Sequence, residues 1–291
     1  MLEGCQGTVT VRRATATSCT RLLACGSYSV LSFSAAQFAT PHCLSTKTPR
    51  PHYVTNKTTM SSQPNLPSPS RLLVLISGNG SNLQALIDAC NTPALPHTSI
   101  IRVISNRKDA YGLQRAQKAD IPTTYHNLVK YKKRHPATDA GVQAAREEYD
   151  RDLARLIVDD EPPDLVVCAG FMHVLSVHFC TLLAEAGVDV INLHPALPGR
   201  YNGVGAIDRA YEDFQKGEIS GTGVMIHYVI AEVDMGEPIV VRDVEMRAGE
   251  AKGELEARMH EVEHGLIVEG TRVALENIKE RRKREGGGET G

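Results

Sequence analysis

The stretch Arg71-Leu-Leu-Val-Leu-Ile-Ser-Gly-Asn-Gly-Ser-Asn-Leu-Gln-Ala-Leu-Ile-Asp-Ala89 decides the fold class. Arg71 to Ser77 is a short apolar run that ends in glycines, the pattern of a strand covered on both faces. Ser81 to Ala89 then switches to helical spacing. In the turn between them, Gly78 and Gly80 can take backbone angles closed to other residues and let a ligand approach the main chain. Ser81 and Asn82 are residue types that cap helix starts. Free N–H groups at a helix start, backed by the helix dipole, attract phosphate. The turn matches neither GxGxxG nor GxxxxGK[ST], so a tight capped turn without a ligand is the rival reading.

The same alternation continues outward. Ile100 to Ser105 reads as a strand, 111–119 as a helix, about 139–159 as a long charged helix, and Asp164–Ala169 and Val188–Asn192 as further apolar strands. Apolar runs separated by helices predict an α/β fold, doubly wound, with a mainly parallel sheet and helices on both faces. Gly223–Ile230 and Pro238–Met246 flank the turn Asp234-Met-Gly236 and form a β-rich extension, as a hairpin or an edge addition. A long C-terminal helix over roughly 250–280 is amphipathic through Leu255, Met259, Val262, Ile267 and Val273. Its basic end, Lys279 to Arg284, is expected to be a solvated, fraying terminus rather than a nucleic-acid patch.

Totals narrow the function classes. In 291 residues, 42% are hydrophobic and 23% charged, an ordinary mixture for a soluble chain that fills a core. A net charge of −2 gives no global attraction to nucleic acid or membrane, and no apolar run reaches the roughly 18–20 residues of a membrane span. The seven cysteines, at 5, 19, 25, 43, 90, 168 and 180, form no CxxC pair and are expected to be unpaired thiols in a reducing compartment. Residues 1–69 are rich in Ser, Thr and Pro with Glu3 as their one acid. They fit a disordered leader, a transit-type segment or sequence ahead of a start at Met60. The expected partition is therefore a leader (1–69), one domain (70–285) and a flexible tail (286–291), with a cytoplasmic location.

Polar residues at strand ends supply the chemistry. Asn192 and His194, in Ile191-Asn-Leu-His-Pro195, lie at the C-terminal end of an apolar strand, where ligands gather in open α/β sheets. Two apart on an extended chain, they face the same way. An amide N–H can hold a developing oxyanion, and an imidazole can give or take a proton near neutral pH. His227 lies in the later β-rich run, and Asp234 follows in the turn. A carboxylate near an imidazole raises its pKa, which predicts a general acid that works near pH 7.

Six ordered stretches now carry a resemblance: SGNGSNLQALIDA (77–89), SNRKDAYGLQRA (105–116), AGFMHVLS (169–176), INLHPALPG (191–199), GVMIHYVIAEVDMGEPIV (223–240) and EVEHGLI (261–267). Together they resemble the folate-dependent phosphoribosylglycinamide formyltransferases over about 71–280. The resemblance implies the formyltransferase fold and transfer of a formyl group from 10-formyltetrahydrofolate to the amine of glycinamide ribonucleotide, in purine synthesis. It implies direct transfer, with no metal and no covalent enzyme intermediate. Asn192, His194 and Asp234 match the catalytic trio, with His194 as general acid/base. Gly80, Ser81 and Asn82 match the groups that hold the ribonucleotide phosphate, and Glu263 a residue on its ribose side. Arg146 and the segment Met172, His173, Val174, Leu175 match the border of the folate, together with Asn192. The implied partners are these small molecules, with neither nucleic acid nor membrane; oligomeric state stays open.

This sequence also departs from the pattern. His173 stands where Arg is common, and Gly205 and Ile207 stand where His is frequent, so side-chain contacts there do not carry over. Residues 126–145 read as an inserted basic surface loop that leads into the long helix. Two relatives of the same fold compete, methionyl-tRNA formyltransferase and formyltetrahydrofolate hydrolase. The first calls for a further C-terminal domain and the second for a folded N-terminal one, and the Gly78–Asn82 turn favours a small ribonucleotide acceptor. A non-catalytic nucleotide sensor explains the glycine turn but not Asn192, His194 and Asp234 together.

Overall fold

The computed structural model describes residues 68–159 and 162–286. The proposed leader, up to residue 67, and the end of the tail, from 287, lie outside the described residues. β1 (Ser70–Ile76) runs into α1 (Ser81–Ala89), followed by β2 (Thr98–Ser105) and α2 (Tyr111–Lys118). β3 (Thr123–Tyr125), α3 (Leu128–Lys132), α4 (Asp139–Val158) and β4 (Leu165–Cys168) come next. α5 (Val177–Glu185), β5 (Asp189–His194), α6 (Ala206–Gln215), β6 (Gly221–Tyr228), β7 (Pro238–Glu245) and α7 (Lys252–Gly286) follow among the described residues.

One seven-stranded sheet has the order β3-β2-β1-β4-β5-β6-β7. β3 through β5 are parallel along this order, and β6 and β7 are antiparallel additions at one edge. The expected doubly wound architecture is thus present, with the β-rich extension as an edge hairpin. Chain order reverses between β1 and β4, and the crevice beyond the strands' carboxyl ends at such a switch is where ligands bind.

β1 accounts for the two-sided core. Leu72, Val74 and Ile76 join Leu83, Leu86, Leu255, Met259 and Ile267 on one face. Leu73 and Leu75 join Tyr149, Leu153, Val166 and Phe179 on the other. Strand side chains alternate in direction, so a run without polar residues feeds both cores at once.

Three expectations need revision. The 126–145 segment is more than a surface loop: it holds α3, whose Tyr131 is buried against Tyr149, so the insertion is partly core. The basic end of α7 is tethered rather than frayed. Arg281 pairs with Asp189 at 3.0 Å and Arg282 with Asp164 at 2.5 Å, both acids at the amino-terminal side of the sheet. The buried stripe of α7 runs Leu255, Met259, Glu263, Leu266, Ile267, Gly270, Ala274 and Ile278, which puts a carboxylate at an apolar position and leaves Val262 and Val273 only half-buried. Cys168 is buried and Cys90 and Cys180 are half-buried, all three unpaired, and burial pushes the thiols of Cys90 and Cys168 up to about 11 and about 12. No helix among the described residues is long and apolar enough to cross a membrane.

Candidate active site

The carboxyl ends of β4 and β5, with the β6–β7 turn, enclose a cavity of about 390 Å³. Arg146, Met172, His173, Val174, Leu175, Asn192, His194 and Asp234 all line it, and so does His227. A larger hollow of about 700 Å³ opens among Leu197, Arg200, Tyr201, 217–222 and 243–245 and contains none of the predicted residues. Size alone would favour the larger one. The smaller cavity collects the interacting imidazoles, carboxylate and amide, which makes it the better candidate for chemistry.

Antiparallel pairing assembles the cluster. β5 and β6 run in a register that sets Asn192 opposite His227 and His194 opposite Met225. The turn after β6 then returns Asp234 over the end of β5. Asp234 sits at φ 55°, a left-handed conformation that Asp tolerates better than most residues. A side chain at Gly236 would collide with the Tyr228 carbonyl, so this turn accepts only glycine there.

Asp234 is the hub. Its Oδ2 lies 3.3 Å from His194 Nδ1 and accepts the Gly203 backbone N–H at 2.7 Å. Its Oδ1 lies 3.5 Å from His227 Nε2 and accepts from Asn192 Nδ2 at 3.3 Å. His227 Nδ1 donates to the Tyr228 carbonyl at 2.8 Å. That bond orients the ring so that Nε2 faces Asp234 and lies 3.2 Å from Asn192 Nδ2. Burial alone pushes the Asp234 carboxyl up, but hydrogen bonds from His227 and Gly203 and the nearby imidazoles outweigh it and hold it below its ordinary value.

His194 overturns the expected sign. The Asp234 carboxylate does raise its pKa, as does the Arg200 carbonyl, 3.4 Å from Nε2. Loss of solvent around a side chain only 4% exposed is the larger effect, and the imidazole is held below its ordinary value. At neutral pH it is uncharged: a proton acceptor first, and a donor only after it has taken a proton.

The β1–α1 turn forms a second cluster. Gly80, not Ser81 or Asn82, is the N-cap of α1, at φ 75° with no side-chain cap. The first-turn N–H groups are therefore left without a capping side chain, as an anion site requires. A Cβ at Gly80 would lie 2.6 Å from the Gly112 Cα, so α2 packs directly against the turn. The Asn82 side chain is engaged elsewhere: its Nδ2 donates to Glu263 Oε2 at 2.9 Å, in a buried contact. Burial raises the Glu263 pKa above its ordinary value, against the hydrogen bond from Asn82. Gly80, Ser81, Asn82 and Glu263 are absent from the 390 Å³ cavity lining. Ser77 ties the two regions: its Oγ donates to Asn106 Oδ1 at 2.7 Å, and Asn106 lines the cavity.

Comparison with known proteins assigns the fold its lineage. The profile described as "Formyl transferase" matches residues 70–271. The chain belongs to the formyl transferase family. It is 48% identical over 209 residues to the phosphoribosylglycinamide formyltransferase of Schizosaccharomyces pombe, covering 72% of this chain and 98% of the relative. It is 44% identical over 214 residues to the enzyme of the same name from Saccharomyces cerevisiae, covering 72% and 99%. Among solved structures, glycinamide ribonucleotide transformylase 1 of Symbiobacterium toebii superposes with a TM-score of 0.60 at 30% identity, covering 73% and 92%.

Two groups in this family member escaped the sequence reading. His227 was seen but given no part, because its approach to Asn192 depends on strand register. Arg115 holds the β1–α1 turn, donating from Nε to the Asn79 carbonyl at 3.0 Å and from Nη2 to Asn79 Oδ1 at 3.0 Å. Its only signal was its place in the SNRKDAYGLQRA stretch.

Proposed function

We infer that this chain formylates glycinamide ribonucleotide with 10-formyltetrahydrofolate as donor, a step of purine synthesis. The observation that carries this reading is the convergence of Asn192, His194 and Asp234 at one end of a cavity bordered by Arg146 and the 172–175 segment. Relatives that act on this ribonucleotide, by their names, span the same region of the chain.

The amine of the ribonucleotide attacks the formyl carbon, and the carbonyl oxygen gains negative charge. The Asn192 amide, with one N–H on Asp234, faces that charge with its other N–H as donor. The attacking nitrogen must lose one proton, and N10 of the folate must gain one as the C–N10 bond breaks. A neutral His194 accepts the first and, as imidazolium stabilised by Asp234, returns it to N10. The proton count closes, and the depressed pKa of His194 suits an acceptor-first role. The turn at Gly80–Ser81 holds the ribonucleotide phosphate, Asn82 braces Glu263 for the ribose side, and Arg146 supplies a cation for an acidic folate tail. No step is routed through a metal.

Purified full-length chain, both substrates and a spectroscopic readout of tetrahydrofolate release test the proposal, with and without EDTA. Folate release that depends on the ribonucleotide supports it. Release without an acceptor would point to a hydrolase, and ribonucleotide binding without release to a sensor.

A further inference from the structure

We propose that Asp150 and His173 form a buried positioning pair that holds loop 170–176 in the shape the formyl donor requires; the proposal rests on the folate reading of the cavity. The loop alternates in direction. Met172 is 66% exposed and Val174 47%, while Phe171 and Leu175 are buried. His173 follows the inward set: its side chain is 4% exposed, and its Nε2 donates to Asp150 Oδ1 at 2.6 Å. The other carboxylate oxygen, Oδ2, accepts the Ser176 backbone N–H at 2.7 Å. Asp150 lies on α4, wholly buried and outside the cavity lining. Both of its oxygens are thus spent on one loop, at positions three residues apart.

The remaining contacts complete the hold. The Tyr149 ring meets the His173 ring edge-on at 4.9 Å and 68°, and the Phe171 ring does so at 5.9 Å and 71°. At the loop's start, Ser77 N–H donates to the Gly170 carbonyl at 3.0 Å and Ser77 Oγ accepts from Met172 N–H at 2.7 Å. A buried carboxylate–imidazole pair adds little net stability compared with apolar side chains of the same size. What such a pair supplies is direction, because its hydrogen bonds have one satisfying geometry. Here that geometry points Met172 and Val174 at the cavity and makes His173 a backbone lining residue whose side chain faces away from the donor.

Steady-state kinetics of the full-length chain, with each substrate varied in turn, tests the pair. His173→Ala should raise KM for 10-formyltetrahydrofolate about tenfold, the effect of one lost hydrogen bond to a charged group, and Asp150→Ala, which also frees the Ser176 N–H, by at least as much, with KM for the ribonucleotide and kcat nearly unchanged. The double variant should be no worse than Asp150→Ala, because that change already removes the contact through which His173 acts. His173→Gln, whose amide N–H can still reach Asp150, should recover most of the loss. An unchanged donor KM in His173→Ala, an equal rise in both KM values, or additive losses in the double variant would each overturn the pair. If Asp150→Ala does not fold, the His173→Ala and His173→Gln comparison decides alone. Wild-type chain inactive with the folate donor would bring down the functional reading first, and this proposal with it.

Discussion

The two ends of the catalytic edge are built in opposite ways. At the β1 end the proposed phosphate site is made by consecutive residues of one turn, with Gly80 as an uncapped helix start and Arg115 bracing Asn79 from behind. At the β5–β6 end, Asn192, His194, His227 and Asp234 come from three segments joined by an antiparallel register and a strained turn. Recognition of a phosphate needs little more than oriented backbone N–H groups, so a local motif suffices. Proton transfer needs side chains held at particular distances and protonation states, which only tertiary packing supplies.

Substitutions at the two ends should therefore fail in different parameters. His194→Ala or Asp234→Ala should lower kcat roughly 10²-fold or more, the scale of a lost proton-transfer group, with folding retained by circular dichroism and KM for the ribonucleotide little changed. Wild-type turnover in the Asp234 variant would remove the hub from the mechanism. Ser81→Asp should leave kcat near wild type and raise KM for the ribonucleotide about tenfold, because it sets a carboxylate against the phosphate. Acidic residues in a helix's first turn are otherwise favourable, so thermal stability should hold or rise. Unchanged KM would take the phosphate away from this turn.

The pH profile sharpens the contrast. Burial holds the His194 pKa below the ordinary 6.5, so the acid limb of kcat/KM should have its midpoint below pH 6.5. In Asp234→Asn the carboxylate that raises the His194 pKa is gone, and the acid limb of the residual activity should move to still lower pH. A wild-type midpoint above 6.5, or an upward shift in the variant, would restore the acid-first role that the sequence suggested.

That reversal marks where sequence reading stops. β1, α1, α4 and α7 were legible because long apolar runs and helical spacing are local patterns, and the β1–α1 turn was legible for the same reason. Three-residue β3 and five-residue α3 are too short to show a period. Asn192 and His194 stood together on one strand end, and Asp234 joined them through the family resemblance. His227 needed the register of β5 against β6. The inward turn of His173 has no sequence signature, since a loop carries no fixed alternation. The sign at His194 depended on how much water packing removes, and two opposing effects of similar kind cannot be ranked without coordinates.

Glu263 gives the smallest expected effect and the clearest test of what the acceptor end costs the fold. It occupies a buried position of the α7 stripe, with its pKa raised by burial. A group whose folded pKa exceeds its unfolded value contributes most below the unfolded pKa, and that contribution is lost as pH rises through the folded one. Above its unfolded pKa the buried carboxyl is thus a burden on stability. Glu263→Gln keeps an acceptor for Asn82 Nδ2 and offers an N–H to Asn82 Oδ1, a buried oxygen with no hydrogen-bond partner. The variant should melt about 2–4 °C higher at pH 7.5, the shift expected of ~1 kcal/mol in a domain of this size. The gain should shrink toward pH 5, while KM for the ribonucleotide rises. A variant less stable at every pH would mean that the carboxylate is retained for packing. Stability gained as affinity falls would identify it as a group the fold keeps for its ligand.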